Sequence, residues 1–436
     1  MCGQILRWLL GSAVVLVLSQ CSGENRDSED PPVAPLGRTL LASTPIQASE
    51  RNPNLLFNFE VDDSLAADVD VVSLHEDFFG VPWEAFSQSK TAPDYFAVLI
   101  QELKQRVNRW DRPLYLSLAI SHNENRRYLA EHLFEDDEGK LVRQARWTDP
   151  CFNFDTHPDG EKWRRAYLNY SEYMIRTFKP RYLTNGIEVT MFQNSCRSFD
   201  PGAFPALIKV LNQVYDLAKE IDPQIVVFPS LQVGYMMDIR PGGVCYRDTG
   251  LDLEVAKTCM RFAWEEMASL KMDRVGLSIY PHVVGGIPDN SAYLAAALDV
   301  VKDRQLVIAE TGHPSSSLLV NGGPAGEAQC LTAVEHSDDQ QVEWLKAVLQ
   351  AAKDHNMELV TWWSARDVFP EDFIGSCPCE DSRSFCETAE IFRLQGGDFT
   401  QRVQNDAILR AFQSMGYRTY DGLPKESLGI WRDFRK

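Results

Sequence analysis

The sequence lacks an excess of basic residues and two short motifs that mark common enzyme classes. Its 43 lysines and arginines are outnumbered by 62 aspartates and glutamates, which gives a formal net charge of −19 at pH 7. Proteins that bind nucleic acid need a basic face to neutralise phosphates, so this charge argues against such a partner. No GxGxxG follows a predicted strand and no GxSxG is present, which argues against a dinucleotide-binding sheet and a serine nucleophile elbow.

The N-terminus carries an apolar run typical of a targeting segment. The run from Leu9 to Leu18 follows Arg7 and is too short to span a membrane comfortably, as in the core of a signal peptide. The stretch LSQC at residues 18–21 resembles the lipobox of bacterial lipoproteins, although Gln20 stands where a small residue is usual. We therefore expect a signal peptide over residues 1–21, a lipid anchor at Cys21 on an exported cell-envelope protein, and a flexible tether over residues 22–37. A plain secretory signal beside a free cysteine is the alternative.

Cysteine usage agrees with export. Apart from Cys2 and Cys21, eight cysteines follow, an even number consistent with up to four disulfides. They are Cys151, Cys196, Cys245, Cys259, Cys330, Cys377, Cys379 and Cys386. The last three could form part of a metal site, but no histidine or second paired motif lies near them, so the pattern favours disulfides.

Short β-rich runs alternate with helical stretches along residues 38–436. The eight predicted strands are Thr39–Ser43, Val69–Leu74, Leu114–Ala119, Tyr182–Val189, Ile225–Leu231, Val275–Ile279, Leu306–Ala309 and Leu359–Trp363. Segments with helical apolar spacing separate them, as from Tyr95 to Trp110 and from Phe204 to Ile221. Eight alternating units in one domain predict a (β/α)₈ TIM barrel. The long connections after strands 3 and 8 contain many of the cysteines, so we expect disulfides to pin these loops.

Two isolated glutamates end otherwise uncharged strands. Glu188 lies at the end of the fourth predicted strand and Glu310 directly follows the seventh. These strands lie on opposite sides of a small barrel, and function gathers at the carboxyl ends of barrel strands. Carboxyl groups facing each other about 5 Å apart can hydrolyse a glycosidic bond with retention. Candidate substrate-binding groups at the other strand ends and nearby are His75, Trp83, His122, Asn185, Tyr280, His282, Trp362 and Trp363.

This pattern resembles the clan A glycoside hydrolases, whose catalytic glutamates end strands 4 and 7. The stretches GLSIYPH and VIAETGHPS are similar to strands 6 and 7 of the family 53 endo-β-1,4-galactanases, and ETGHPS also resembles the family 17 β-1,3-glucanases. The resemblance implies that Glu188 is the acid/base, that Glu310 is the nucleophile and that Tyr280 holds it by a hydrogen bond. It also implies an aromatic platform under the sugar at Trp362 or Trp363. Such an enzyme acts on a β-galactan or β-glucan type of substrate and needs neither a metal nor an organic cofactor.

The sequence departs from the clan at one position. Asn normally precedes the acid/base glutamate and binds the sugar 2-hydroxyl, but here Ile187 does. Asn185 would share a strand face with Ile187 because side chains alternate, and it is an imperfect substitute set one pleat deeper. This departure leaves three alternatives: another group binds the 2-hydroxyl, the activity is weak, or the sugar is unusual.

Two other interpretations remain open at this stage. The chain could be a surface lipoprotein that binds polysaccharide on a degenerate barrel without cleaving it, although a binder does not need both Glu188 and Glu310. His122, His282 and His313 could form a metal triad at neighbouring strand ends. No HxH pair marks the first strand, so we expect no metal.

Overall fold

The computed structural model describes residues 37–45, 64–75, 80–122, 126–144, 149–239, 243–245, 251–283, 289–316, 318–321, 330–334, 336–367, 414–419 and 421–436. Pro35–Lys436 form one compact unit. The predicted signal peptide, Cys21 and nearly all of the predicted tether lie outside the described residues, as do Cys377, Cys379 and Cys386. No helix in the described part of the chain is long and apolar enough to cross a membrane.

In the described residues, the strands of the main sheet are separated by helices, and two antiparallel pairs, β4–β5 and β11–β12, stand outside that sheet. The strands are β1 (Leu40–Ser43), β2 (Val71–His75), β3 (Leu114–Ser117), β4 (His132–Glu135), β5 (Leu141–Gln144), β6 (Tyr182–Thr184), β7 (Val226–Phe228), β8 (Ser230–Gln232), β9 (Val275–Ile279), β10 (Leu306–Thr311), β11 (Leu318–Asn321), β12 (Cys330–Val334) and β13 (Leu359–Trp362). The helices are α1 (Leu65–Asp68), α2 (Trp83–Gln88), α3 (Asp94–Arg109), α4 (Gly160–Phe178), α5 (Val189–Cys196), α6 (Ala203–Ile221), α7 (Val233–Met236), α8 (Leu253–Glu265), α9 (Asn290–Val301), α10 (Asp338–Asp354) and α11 (Glu426–Arg435).

The predicted (β/α)₈ barrel is confirmed. Nine parallel strand segments pair in the order β7-β6-β3-β2-β1-β13-β10-β9-β8. The two outer members of this order, β7 and β8, belong to one stretch of chain interrupted by Pro229. Proline has no N–H to give to a ladder, and at this residue the pairing passes from β6 to β9. The fifth predicted strand therefore pairs with β6 through its β7 segment and with β9 through its β8 segment, and these pairings close the ring of eight strands.

The structure corrects the fourth predicted strand. It ends at Thr184 rather than Val189, and the chain turns directly into α5. The remaining strands agree with the predicted ones to within a few residues because buried parallel strands are continuous apolar runs. The helices bury apolar stripes against the sheet, as α6 does with Leu207, Leu211, Val214 and Ala218 at helical spacing.

Two disulfides lie within the described residues. Cys151–Cys196 joins the connection after β3 to the end of α5, so the predicted pinning of that loop is confirmed. Cys245–Cys259 links the connection after α7 to α8. The loop after β13 lies largely outside the described residues, so its predicted disulfides stay a prediction.

A buried carboxylate attaches the C-terminal helix to the barrel. Asp68, at the end of α1, is fully buried. Its Oδ2 accepts hydrogen bonds from Arg418 Nε and Nη2 at 3.0 and 2.7 Å, and Arg432 reaches its Oδ1. Trp431 of α11 donates to the Asp68 carbonyl oxygen at 2.8 Å. A buried charge is tolerated only when it is paired. The folded structure therefore needs both Arg418 and helix α11 in place beside Asp68.

We predict that Asp68→Ala lowers the free energy of unfolding by about 3–5 kcal/mol, because Arg418 is left without its buried partner. The matched control is Asp216→Ala, which breaks an ion pair with Lys271 whose side chains are 58% and 48% exposed and should cost at most about 1 kcal/mol. Urea denaturation followed by fluorescence measures both. Equal losses for the two variants would contradict the prediction.

Candidate active site

Glu310 is a carboxyl group buried at the tip of a core strand. It lies in β10, is 6% exposed and is hydrogen bonded through both oxygens. His75 Nε2 lies 2.8 Å from Oε1, and the Tyr280 hydroxyl donates to Oε2 at 3.2 Å. Unpartnered burial of a charge costs several kcal/mol. The partners from β2 and from the end of β9 explain how the carboxylate is held there.

A bulge in β10 sets the direction of Glu310. Ile308 pairs with Leu277 of β9, but the next pair is Glu310 with Ser278, so Ala309 is an extra residue. A bulge re-aims the side chains that follow it. Glu310 is thereby placed beside Ser278 on the neighbouring strand.

Glu188 approaches the same place from the opposite side of the ring. It is the N-cap residue of α5, and its φ of 48° lies in the left-handed region, which costs a non-glycine residue on the order of 1–3 kcal/mol. Its carboxyl group does not cap the helix. Instead Oε1 accepts from Ser278 Oγ at 2.7 Å and Oε2 from Arg126 Nη2 at 3.4 Å, while its N–H donates to Ser230 Oγ at 2.7 Å.

Ser278 and Tyr280 connect the two carboxyl groups. Ser278 donates to Glu188 and is the register partner of Glu310. Burial, then the negative charges of Glu310 and Glu188, raise the pKa of Tyr280 well above its usual value. The hydroxyl therefore stays protonated and keeps donating to Glu310. The arrangement places two carboxyl groups, one accepting from histidine and tyrosine and the other from arginine and serine, at the carboxyl ends of the strands.

Trp363 forms an aromatic wall beside Glu310. Its ring meets His75 edge to face with centroids 4.8 Å apart, and it clusters with Tyr280 and Met415. Gly312 lies next to it, where a Cβ would collide with the Trp363 carbonyl oxygen. Only glycine therefore allows the ends of β10 and β13 to approach this closely.

Two predicted substrate-binding residues face away from the barrel interior. Trp362 is fully buried, donates to the Met415 carbonyl oxygen and packs near Trp431 of α11. Strand side chains alternate, so of the two tryptophans Trp363 faces the site and Trp362 does not. Asn185 donates to the Leu211 carbonyl oxygen of α6. The strand has already ended at Thr184, so the alternation that placed Asn185 beside the acid/base was wrong.

Two more predicted residues, Trp83 and His122, differ in their surroundings. Trp83 is fully buried in the helical layer, where α2 packs on α4, and its Nε1 donates to the Ala130 carbonyl oxygen. It is a core residue, and its prediction as a sugar contact was wrong. His122 lies in the connection after β3, with Nε2 3.3 Å from Glu131 Oε1.

Three histidines cluster next to Tyr280. The ring centroids of His282, His313 and His336 lie 5.0–6.0 Å apart, and the rings meet edge to face. Burial, then the neighbouring histidines, lower the pKa of His282 well below its usual value, and burial lowers the pKa of His313 to about 4. Within the described residues no group of three or more His, Cys, Asp or Glu is arranged to hold a metal ion.

Sequence reasoning missed Arg126, Ser278 and His336 as members of this site. Ser278 had a usable signal, because it precedes Tyr280 by two residues in β9 and shares its strand face. Arg126 lies in a connection whose course depends on the Cys151–Cys196 disulfide, and His336 precedes a helix far along the chain. Nothing local marks either residue.

The fold and the site define a (β/α)₈ barrel with two carboxyl groups gathered at the carboxyl ends of its strands. No protein-family model matches the chain, and no curated protein matches it in sequence. Solved structures with a similar fold include a GH5_18 variant from Streptomyces cattleya in complex with Manb1-4GlcNAc, at 12% identity and a TM-score of 0.52, covering 91% of this chain and 80% of that one.

Two further structures are similar at the same level. A GH5_18 variant from Bifidobacterium longum, also in complex with Manb1-4GlcNAc, has 12% identity and a TM-score of 0.53 over 91% of this chain and 77% of that one. The exo-β-1,4-mannosidase Op5Man5 from Opitutaceae bacterium strain TAV5 has 13% identity and a TM-score of 0.52 over 90% and 58%. At such identities the similarity shows the fold.

We predict that the histidine cluster makes stability fall with acid. The pKa of His313 is lowered from 6.5 to about 4 in the folded chain, so the unfolded chain binds the proton first as pH drops. Stability is therefore lost from about pH 6.5 downward, up to roughly 3 kcal/mol by pH 4 for this residue alone. His313→Asn should remove about one proton from the pH dependence of the unfolding free energy, whereas His355→Asn, at an exposed site after α10, should not. Identical slopes for both variants would refute the assignment.

Proposed function

We propose that this chain is a retaining glycoside hydrolase acting on a β-linked oligo- or polysaccharide. The observation that carries the proposal is the convergence of Glu188 and Glu310 on Ser278 and Tyr280, from opposite sides of a closed barrel. Two carboxyl groups flanking one cleft are the chemical requirement for glycoside hydrolysis. The similar solved structures support the proposal through their fold and their bound saccharides.

The surroundings of the two carboxyl groups support different roles for them. Glu310 is held by His75 and Tyr280 and attacks the anomeric carbon as a carboxylate. Glu188 gives a proton to the leaving oxygen, and the glycosyl group becomes bonded to Glu310. Glu188 then takes a proton from water, whose oxygen displaces Glu310 and restores the enzyme with retention. This mechanism uses neither a metal nor an organic cofactor.

Two sets of similarities indicate which sugars are candidate substrates. The stretches around Tyr280 and Glu310 resemble β-galactanases and β-1,3-glucanases, which favours a β-galactan or β-glucan. Two of the similar structures hold Manb1-4GlcNAc and a third is a β-1,4-mannosidase, which adds a β-mannan to the candidates. Trp363 offers an aromatic face for the C–H face of a pyranose.

We also propose that the protein is exported and lipid-anchored at the cell envelope through Cys21. The support is the apolar run followed by LSQC at residues 18–21 and the polar, proline-bearing segment after it. The two disulfides of the barrel agree with an oxidising compartment.

A non-catalytic polysaccharide-binding barrel is the second candidate, and Ile187 is the observation in its favour. This residue occupies the position of the clan's asparagine and is fully buried, so it contributes no hydrogen bond to a sugar. Loss of a carboxyl group abolishes turnover if the protein is an enzyme, whereas a non-catalytic binder has no turnover to lose.

We predict that Glu310→Gln abolishes hydrolysis, by on the order of 10³-fold or more, while polysaccharide binding is retained. Reducing-sugar release from β-galactan, β-1,3-glucan and β-mannan, together with cleavage of aryl β-glycosides, measures the loss. Glu172→Gln in α4, which weakens ion pairs with Lys90 and Arg176, is the control and should keep full activity. Azide should restore turnover of Glu310→Ala with an inverted glycosyl azide as product. If the unmodified protein binds these polysaccharides but releases no sugar from any substrate, the binder replaces the enzyme.

We predict that Arg126→Gln moves the alkaline limb of kcat/KM to higher pH, because Arg126 Nη2 lies 3.4 Å from Glu188 Oε2. The Arg126 cation favours the ionised form of Glu188, whereas the first step needs the protonated form. Loss of the cation lets Glu188 remain a proton donor at higher pH. Arg197→Gln, which removes a cation paired with Glu266, is the matched control and should leave the limb in place. A downward shift in Arg126→Gln would contradict the role of Glu188 as the acid.

A further inference from the structure

An exposed aromatic ring lies on the rim beyond Glu188. Phe199 follows α5 and is 59% exposed, which is unusual for so large an apolar side chain. The guanidinium carbon of Arg127 lies 5.3 Å from the ring centroid, a cation–π distance. Neither residue has a part in the core of the barrel.

Both residues are held in place by the same disulfide. The Phe199 N–H donates to the Cys196 carbonyl oxygen at 3.0 Å, and the Cys151 N–H donates to the Arg127 carbonyl oxygen at 2.7 Å. Cys151 and Cys196 are bonded to each other. Asp200 adds an acceptor for Asn153 Nδ2 at 2.9 Å. The backbone that carries the pair is fixed in this way, so the two segments need not be ordered when a ligand binds.

The two segments that carry Phe199 and Arg127 are also connected to Glu188, the candidate acid. Arg126, the residue before Arg127, donates to Glu188. Glu188 is the N-cap residue of helix α5 (Val189–Cys196), and the eight residues of this helix span about 12 Å. Phe199 therefore stands one short helix away from Glu188, on the wall that carries the acid. That wall faces the leaving group, since the acid protonates the leaving oxygen.

We propose that Phe199 and Arg127 form a sugar-binding subsite for the leaving-group end of the substrate chain, an inference that rests on the proposed function. The ring stacks on the C–H face of a pyranose, and the guanidinium of Arg127 donates hydrogen bonds to its hydroxyls. The ligand is an extended β-linked saccharide that continues past the cleaved bond. A single aryl leaving group is too short to reach this rim.

A second pair of residues has the same local chemistry, and its arginine lies two residues before Phe199. Phe262 of α8 is 55% exposed, and the guanidinium carbon of Arg197 lies 5.3 Å from its centroid. Arg197 directly follows α5, and its guanidinium also pairs with Glu266 at the end of α8 at 2.8 Å, so this guanidinium is already engaged by a carboxylate. If an exposed phenylalanine beside an arginine has no role in ligand binding, alanine substitutions of Phe199 and Phe262 have the same effect on polysaccharide binding. If Phe199 binds sugar, only its substitution weakens binding.

The test compares Phe199→Ala with Phe262→Ala in the full chain. Kinetics use whichever of β-galactan, β-1,3-glucan and β-mannan the parent hydrolyses, alongside a simple aryl β-glycoside. Phe199→Ala should raise KM for the polysaccharide roughly tenfold and leave kcat/KM for the aryl glycoside unchanged. Phe262→Ala should change neither, and Phe199→Trp should restore the polysaccharide KM. Equal effects of the two alanine variants, or an equal loss on both substrates in Phe199→Ala, overturn the subsite.

Binding measured in the Glu310→Gln background separates this inference from the proposed function. Calorimetry of that variant with the same polysaccharides reads affinity without turnover. Weaker binding only when Phe199→Ala is added supports the subsite, whether or not the chain is a hydrolase. If the parent cleaves aryl glycosides but Phe199→Ala does not change the affinity for polysaccharide, the proposed subsite is wrong and the proposed hydrolase activity is retained. Thermal unfolding of each variant checks that the fold is intact.

Discussion

The buried Glu310 carboxylate is the constraint on which the site depends. It ends a strand of apolar residues, where a charge without partners would cost several kcal/mol, and its partners come from β2 and from the end of β9. His75 lies 235 residues away along the chain. The pair can form only when the sheet closes and β13 and β1 fill the space between β10 and β2. Folding of the barrel and assembly of the site are therefore one event.

The wall that carries Glu188 is built differently. Glu188 and Arg126 both have positive φ, as does Cys151, so three members of this wall occupy backbone conformations that non-glycine residues rarely adopt. Strained residues persist only where surrounding structure fixes them. Here the fixing groups are the Cys151–Cys196 disulfide and the Ser230 hydroxyl that accepts from the Glu188 N–H. One carboxyl group thus depends on the packed sheet, and the other on a cross-linked connection above it.

Sequence patterns predicted the barrel well and the site in part, for physical reasons. Buried parallel strands are apolar runs, so all eight were found, and residues at their ends had to meet at one face of a barrel. That reasoning found Glu310, Tyr280, His75 and Trp363. It failed wherever a side chain's direction depended on the residue at which a strand stops, as for Asn185, or on register, as for Trp362. It could not find Arg126, because a connection's course is set by tertiary contacts rather than by periodicity.

The residue before Glu188 is Ile187 rather than the asparagine of the clan pattern, and the contacts around Glu188 show the consequence. Ile187 is buried and apolar, and Asn185 is turned to α6, so neither supplies a polar group at this position. Side chains that donate hydrogen bonds to the Glu188 carboxyl group include Ser278 and Arg126. An asparagine would be neutral, whereas Arg126 brings a positive charge to the Glu188 carboxyl group. The sequence therefore differs from the clan pattern at this position, and the Glu188 carboxyl group lies 3.4 Å from a cation, the Arg126 guanidinium.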